Sequence, residues 1–231
     1  MADETANFDV ESFCKECGVA APAQFIELCE RLRILLEEAN QTVNLTRINS
    51  PAEYWDKHVA DSLAAAKFFP EIAVKELSLL DIGCGAGFPS LILAAAFPKL
   101  RVTAMDSTAK KIAFVARAAK ELGLKNLIPL QARAREAGYR PEQRGRYQVL
   151  TARAVGTSEK LFEEFCRLVA KQATIILYKT PDQVEKELHG AERASAFHKE
   201  GCFTWGSTDA FTLPGGSGTR CFLYARYKET R

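Results

Sequence analysis

A chain of 231 residues, 47% of them hydrophobic, with 31 Lys/Arg against 29 Asp/Glu, has the length and composition of one large globular domain or of a domain with a helical piece appended. No apolar run approaches the roughly 18–20 residues that cross a bilayer. The acidic start MADETANFDVESF lacks the basic-then-apolar pattern of a signal peptide, which predicts a cytoplasmic protein without a membrane partner. The net charge of +2 hides a division: residues 1–98 carry 15 acidic and 7 basic side chains, residues 99–160 carry 5 and 14, and residues 161–231 carry 9 and 10. A basic middle segment in a near-neutral chain suits a localised site for a polyanion such as nucleic acid, the competing reading being solvated helix faces.

Residues 1–74 read as helical. In Pro22–Ala39, residues Phe25, Leu28, Cys29, Leu32, Leu35 and Leu36 recur at helical spacing between charges. After the polar break NQTVNLTRINSP, Ser50 is placed as an N-cap before Pro51 at the first helical position. That helix is expected to run to about Phe69 with Trp55, Val59, Leu63 and Ala66 on one stripe. From Leu77 the rhythm changes. Strand-like runs at Leu77–Ile82, Arg101–Met105, Leu127–Gln131, Gln148–Thr151 and Thr174–Tyr178 alternate with helical patterns at Leu91–Phe97, Ala109–Leu122 and Ser158–Ala170. Such alternation predicts a parallel, doubly wound sheet. Gly201–Trp205 and Cys221–Tyr227, separated by TLPGGSGTR, then read as a terminal antiparallel hairpin. The expected architecture is α/β, a Rossmann-like doubly wound sheet with that hairpin over residues 75–231, the layout of class I methyltransferases, carrying an N-terminal helical extension over residues 1–74.

Seven scattered cysteines include Cys14-x-x-Cys17, but no second pair or His pair completes a zinc site, so reduced cysteines and no metal are expected.

The stretch LLDIGCGAGFPS, residues 79–90, breaks an apolar run with glycines at 83, 85 and 87. Glycines there allow a sharp turn and close approach of a ligand to main-chain amides and the next helix N-terminus. A dinucleotide fingerprint wants glycine or alanine at the sixth position; counted from Gly83 that position is Phe88, and counted from Gly85 it is Ser90, a tolerable but imperfect fit. Asp81 ahead of the turn would repel a pyrophosphate but could hold the cationic amino-acid end of S-adenosylmethionine. Asp106, closing the second strand, could accept both ribose hydroxyls or cap the helix after it.

These residues, with VTAMDSTAKKIAFV (102–115), YQVLTARAV (147–155), NLTRI (44–48) and KHVADSL (57–63) in order and spacing, resemble the bacterial 16S ribosomal RNA guanine-N7 methyltransferases, the RsmG or GidB family. The resemblance covers about residues 25–180, with a weaker echo at Thr219–Ala225. It implies methyl transfer from S-adenosylmethionine, with S-adenosylhomocysteine as product, to N7 of a guanine in the 530 loop of 16S rRNA. The partner implied is 16S rRNA or the assembling 30S subunit, with a monomer and no obligate protein partner expected. The resemblance places the cofactor at Gly83, Phe88, Ala134, Arg135 and Arg153. Here Arg135 stands where the family usually has an acid, and Thr180 follows Lys179 where a glycine is common.

Guanine N7 has an in-plane lone pair and no proton, so its methylation needs positioning and water exclusion rather than a general base. The sequence is consistent with this, having no nucleophile triad, metal-binding histidine motif or P-loop, so no catalytic side chain is named. Lys110, Lys111, Arg133, Arg140, Arg144, Arg146 and Lys179 are candidate phosphate contacts. Asn44 and Thr46 in the polar break, and His58 with Asp61 at i, i+3 on one helix face, are candidates to line the guanine pocket or to act as loop caps and a helix-to-sheet hydrogen bond. Phe203 and Trp205 could stack on a base or pack in the core. The alternatives are a cofactor-binding ribosome-assembly protein without turnover, or a methyltransferase of the same fold acting on another substrate.

Overall fold

The structure, a computed structural model, describes residues 8–48, 50–196 and 202–228, with the side chains of Cys202 and Lys228 left aside. Helix α1 (Val10–Glu16) starts at Asp9, whose carboxylate accepts from the Ser12 amide at 3.0 Å. Helix α2 (Pro22–Asn40) has Pro22 at its first turn and buries Phe25, Cys29, Leu32 and Leu36, a three-and-four spacing that makes one apolar stripe. Ser50 caps α3 (Pro51–Glu53), accepting from the Glu53 amide.

The helix expected to continue to Phe69 does so with a change of winding. Tyr54–Ala60 is π-helical, and α4 (Asp61–Phe68) resumes the α pitch. The wider turn alters which side chains face inward. Val59, Leu63 and Ala66 are buried as the spacing implies, and Tyr54, Asp56 and His58 join them. Trp55 is only partly buried and donates from Nε1 to Glu30 at 2.7 Å. A short helix, α5 (Glu71–Val74), leads to the sheet.

Strands β1 (Ser78–Ile82), β2 (Arg101–Asp106), β3 (Leu127–Gln131), β4 (Tyr147–Arg153) and β5 (Val169–Lys179) are parallel. Between them lie α6 (Ser90–Ala96), α7 (Ala109–Glu121), α8 (Ala134–Ala137) and α9 (Ser158–Phe165), and α10 (Pro181–Ala196) follows β5. Strands β6 (Cys202–Ser207), β7 (Phe211–Thr212) and β8 (Thr219–Lys228) finish the fold. The order across the sheet is β3-β2-β1-β4-β5-β8-β6, with β8 antiparallel to both neighbours and β7 pairing its start. This is the predicted doubly wound sheet and terminal hairpin; Gly201 lies outside the described residues.

Two extents differ from the sequence reading. Helix α9 stops at Phe165 rather than Ala170, because Val169 pairs with Tyr147 and starts β5 early. The ladder shifts register between Tyr147 and Val149, and Gln172 takes φ +64°, as at a bulge. Helix α10 has no counterpart in the sequence reading; its sequence is mostly polar, and its signal is a capping box. The Thr180 amide donates to Gln183 Oε1 at 3.0 Å, and the Gln183 amide to Thr180 Oγ1 at 3.4 Å.

The central strands are buried on both faces, as parallel strands covered by helices must be. One core joins α1, α2, the π-helical segment, α4, α6 and α7 to one face; the other joins α8, α9 and α10 to the opposite face. The helices of residues 10–74 therefore share their core with the sheet.

Candidate active site

Ligands of open parallel sheets sit beyond the carboxyl ends of the strands, and there the turn after β1 makes the floor of a cleft. Gly83 has φ +66°, and a Cβ on it would stand 2.5 Å from Val155 Cγ2, so only glycine fits. The Cys84 amide donates to the Met105 carbonyl at 3.0 Å and the Gly85 amide to Asp106 Oδ2 at 3.1 Å. Asp106 Oδ1 also accepts from the Thr108 amide at 2.8 Å. One carboxylate thus braces the turn and opens α7. Each of its oxygens has a second acceptor direction to offer. The cleft, about 610 Å³, is lined by Gly83, Asp106, Lys111, Arg133, Ala134 and Arg135, among others, a size usual for small-molecule sites.

Asp81 lies beneath this cleft and not in it. The expectation that it faces the cofactor's amino group is corrected: its carboxylate has no exposed surface. Oδ2 accepts from the Ser90 hydroxyl and from the Ser90 amide at 3.3 Å, and Oδ1 from the Thr151 hydroxyl at 3.0 Å. Burial pushes its pKa up to about 6, against the hydrogen bonds from Ser90 and Thr151 that favour the charged form. Asp81 therefore ties β1 to α6 and β4. Gly87 is likewise a packing glycine, since a Cβ there would meet Leu91 Cδ1 at 2.4 Å. Phe88, joined to Pro89 by a cis peptide, is buried against the π-helical segment rather than along the cleft.

A second cleft, about 630 Å³, opens where β4 ends, lined by Lys57, His58, Asp61, Arg153, Gln183 and Arg220, among others. It meets the first at Ala154, which lines both and has φ +56°, a conformation costing a non-glycine residue roughly 1–2 kcal/mol. Arg153 donates from Nη1 to the Lys57 carbonyl at 2.9 Å and to Asp61 Oδ2 at 3.0 Å, and its Nη2 lies 3.3 Å from His58 Nδ1. The other Asp61 oxygen accepts from Arg220 Nε at 3.1 Å. His58 Nε2 is 3.1 Å from Thr46 Oγ1. With a guanidinium donating to Nδ1, the imidazole is the neutral Nε2–H tautomer. Burial, and then the Arg153 charge, lower its pKa to about 3. Asn40 fixes the preceding loop, its Oδ1 accepting from the Leu45 and Thr46 amides at 2.8 and 3.0 Å. Arg153 is thus committed to protein partners along the second cleft.

A family model described as "rRNA small subunit methyltransferase G" (GidB) matches residues 26–205. The chain belongs to this family. Curated relatives named ribosomal RNA small subunit methyltransferase G include one from Trichormus variabilis, 37% identical over 211 residues, covering 88% of this chain and 81% of the relative. Another, from Lactococcus lactis subsp. lactis, is 38% identical over 210 residues, covering 89% and 84%. Among solved structures, a SAM-dependent methyltransferase from Aquifex aeolicus superposes with TM-score 0.55 at 19% identity, covering 87% of this chain and 98% of that one. An O-methyltransferase from Bacillus cereus, solved in complex with SAH, superposes with TM-score 0.56 at 14% identity, covering 86% and 91%. The fold is thus the class I methyltransferase fold.

Within this family member the basic candidates divide by position. Lys111, Arg133 and Arg135 line the first cleft, and Lys110 is exposed on the first turn of α7. Arg140, Arg144 and Arg146 precede β4, at the amino-terminal edge of the sheet, where Ser78 Oγ of β1 donates to the Arg146 carbonyl at 2.9 Å. Seven residues of β4 separate them from the clefts, roughly 20 Å at strand rise, so they do not flank the site. Lys179 lines the second cleft, with its charge already committed to protein partners. It is buried, paired with Glu187 at 2.8 Å, and donates to the Gly156 carbonyl at 3.2 Å. Asn44 is exposed on the loop after α2, outside both clefts. Phe203 and Trp205 pack in the second core, with Trp205 Nε1 donating to Ser195 Oγ at 2.9 Å. Among the described residues no His, Cys, Asp and Glu cluster could hold a metal ion, and no helix is long and apolar enough to cross a membrane.

Sequence reasoning missed Ser90 and Thr151 beneath Asp81, Asn40, and the second-cleft residues Lys57 and Arg220. Lys57 stands inside KHVADSL next to His58, and Asp61 of the same stretch, a candidate alongside His58, does line the second cleft. Arg220 stands in the weaker Thr219–Ala225 echo.

Proposed function

We propose that this protein transfers a methyl group from S-adenosylmethionine to N7 of a guanine in the 530 loop of 16S rRNA. The observation that carries this reading is the junction of two clefts at Ala154. The first suits the cofactor: Gly83 leaves room where any Cβ would collide, Asp106 keeps acceptor capacity for ribose hydroxyls, and Ala134 and Arg135 border the same space. When bound there, S-adenosylmethionine supplies an activated methyl group, and the sulfur keeps the electrons of the broken bond.

The second cleft takes the base. Lys57 and Arg220 at its walls attract the phosphates on either side of an extruded nucleotide. No side chain has to remove a proton, because the N7 lone pair is free. The neutral His58, held on both ring nitrogens, serves to shape the wall. Asp61 neutralises part of the charge of Arg153 and Arg220, which moderates repulsion of the cationic product base. The residues of this chain thus orient, exclude water and balance charge.

The test is methyl transfer from labelled cofactor to 16S rRNA and to 30S subunits from cells lacking the modification, with the product mapped. N7-methylguanine in the 530 loop is expected. A methyl group on another atom or base overturns the reading.

A further inference from the structure

Asp56 is 2% exposed and takes no part in either cleft. Its carboxylate points away from its own helix onto the loop between β7 and β8, where Oδ1 accepts from the Gly215 amide at 2.8 Å and Oδ2 from the Ser217 amide at 2.9 Å. The partners are 159 and 161 residues distant in sequence. The fit is close, since a Cβ on Gly215 would stand 2.8 Å from Asp56 Cγ. Within the loop, the Leu213 amide donates to the Gly218 carbonyl at 2.9 Å and the Gly216 amide to the Leu213 carbonyl at 2.8 Å. The loop is therefore a compact unit fastened at its tip. Two residues beyond Gly218 the chain reaches Arg220, whose Nε binds Asp61, five residues along from Asp56.

We propose that Asp56 is a positioning residue for the substrate cleft. It fastens residues 213–218 to the π-helical segment and so fixes the path on which Arg220 enters the cleft wall. A carboxylate accepting two main-chain amides is a charge-assisted anchor, and both ends of the closed circuit, Asp56 to loop and Arg220 to Asp61, lie on one continuous helix. The winding of Tyr54–Ala60 is what allows Asp56 and His58 to be buried together on different partners. Loss of the anchor would free the Arg220 end of the wall while leaving the Gly83–Asp106 cleft untouched.

This inference rests on the second cleft being the RNA site, and the experiment separates the two. Steady-state methylation of 30S subunits and calorimetric S-adenosylmethionine affinity are measured for Asp56→Ala, Asp56→Asn, Gly215→Ala and Arg220→Ala. Asp56→Ala and Gly215→Ala are expected to raise KM for the RNA substrate about ten-fold or lower kcat to a similar degree, as small displacements of a positioned group do, with cofactor affinity unchanged. Asp56→Asn, which keeps an acceptor for one amide, should recover part of the loss. If Asp56→Ala does not fold, Gly215→Ala decides, because it alters only the approach of loop to carboxylate. Wild-type constants in Asp56→Ala and Gly215→Ala alongside impaired Arg220→Ala overturn the inference alone. Wild-type constants in all variants overturn the cleft reading with it, and a parallel loss of cofactor affinity overturns Asp56 as a residue specific to the substrate side.

Discussion

The imidazole of His58 lies flat on the ring of Phe88, centroids 4.0 Å apart and planes 7° from parallel. Tyr54 meets Phe88 edge-on at 6.2 Å, and the Arg153 guanidinium sits 5.8 Å from the same ring centroid. The ring that follows the glycine turn is thus clasped by the N-terminal helical layer and by the end of β4. Glycine turn, helix and strand end form one packed unit.

Phe88→Ala is expected to destabilise the fold by about 3–5 kcal/mol, the range for emptying a buried aromatic site. Urea denaturation checks it. Phe88→Leu should recover over half of that loss, and methyl transfer should follow stability through the series.

The pH dependence of stability carries the mark of His58. Its folded pKa, about 3, lies below the unfolded value near 6.5, so its contribution is fully present above pH 6.5 and is lost as pH falls toward 3. Asp81 acts in the opposite sense, because its raised pKa favours the folded state as pH falls through about 6 toward 3.8. His58→Gln should therefore weaken the decline of the urea midpoint between pH 6.5 and 4, and Asp81→Asn should steepen it. An unchanged slope in His58→Gln would place that proton uptake elsewhere.

At the cofactor turn, Gly83→Ala and Asp106→Ala should each weaken S-adenosylmethionine binding at least about ten-fold. The first introduces a Cβ that collides with Val155. The second removes the acceptor of the Gly85 and Thr108 amides, each such bond to a charged group contributing about 1.5–3 kcal/mol. Calorimetric titration reads the effect, and circular dichroism should show a folded protein in both.

Charge reversal distinguishes the two ends of the sheet. Glutamate at Lys111, Arg133 and Arg135 should raise KM for 30S subunits and lower the slope of log affinity against log salt by roughly two. The same change at Arg140, Arg144 and Arg146 should leave both nearly as in the wild type. Filter binding across a salt series measures each slope.

Much of the framework is legible from local chemistry. Pro22, the Ser50–Pro51 cap and the three-and-four stripe of α2 announce helices, and the buried runs from Leu77 onward announce parallel strands. Gly83 and Asp106 are legible because a turn after a strand permits few alternatives. Asp81 is misread because its environment comes from Ser90 and Thr151, nine and seventy residues away. A carboxylate at a strand end looks alike in sequence whether it faces ligand or core. Arg140, Arg144 and Arg146 are misread because a charge count along the chain ignores strand direction, and β4 carries the chain from one edge of the sheet to the other. The π-helical winding of Tyr54–Ala60 has no composition of its own, so the inward turn of Asp56 and His58 appears only in three dimensions.

Ala154 gives the two clefts their common border without offering a side chain larger than a methyl group. The border is main chain, placed by β4 and held by the sheet pairing on either side of it. In the proposed function, donor and acceptor are then registered by the architecture itself, as two parts are by a shared jig, and not by an adjustable arm. Mutations around the rim can loosen the grip on either molecule, whereas the line along which one faces the other changes only if the strand moves.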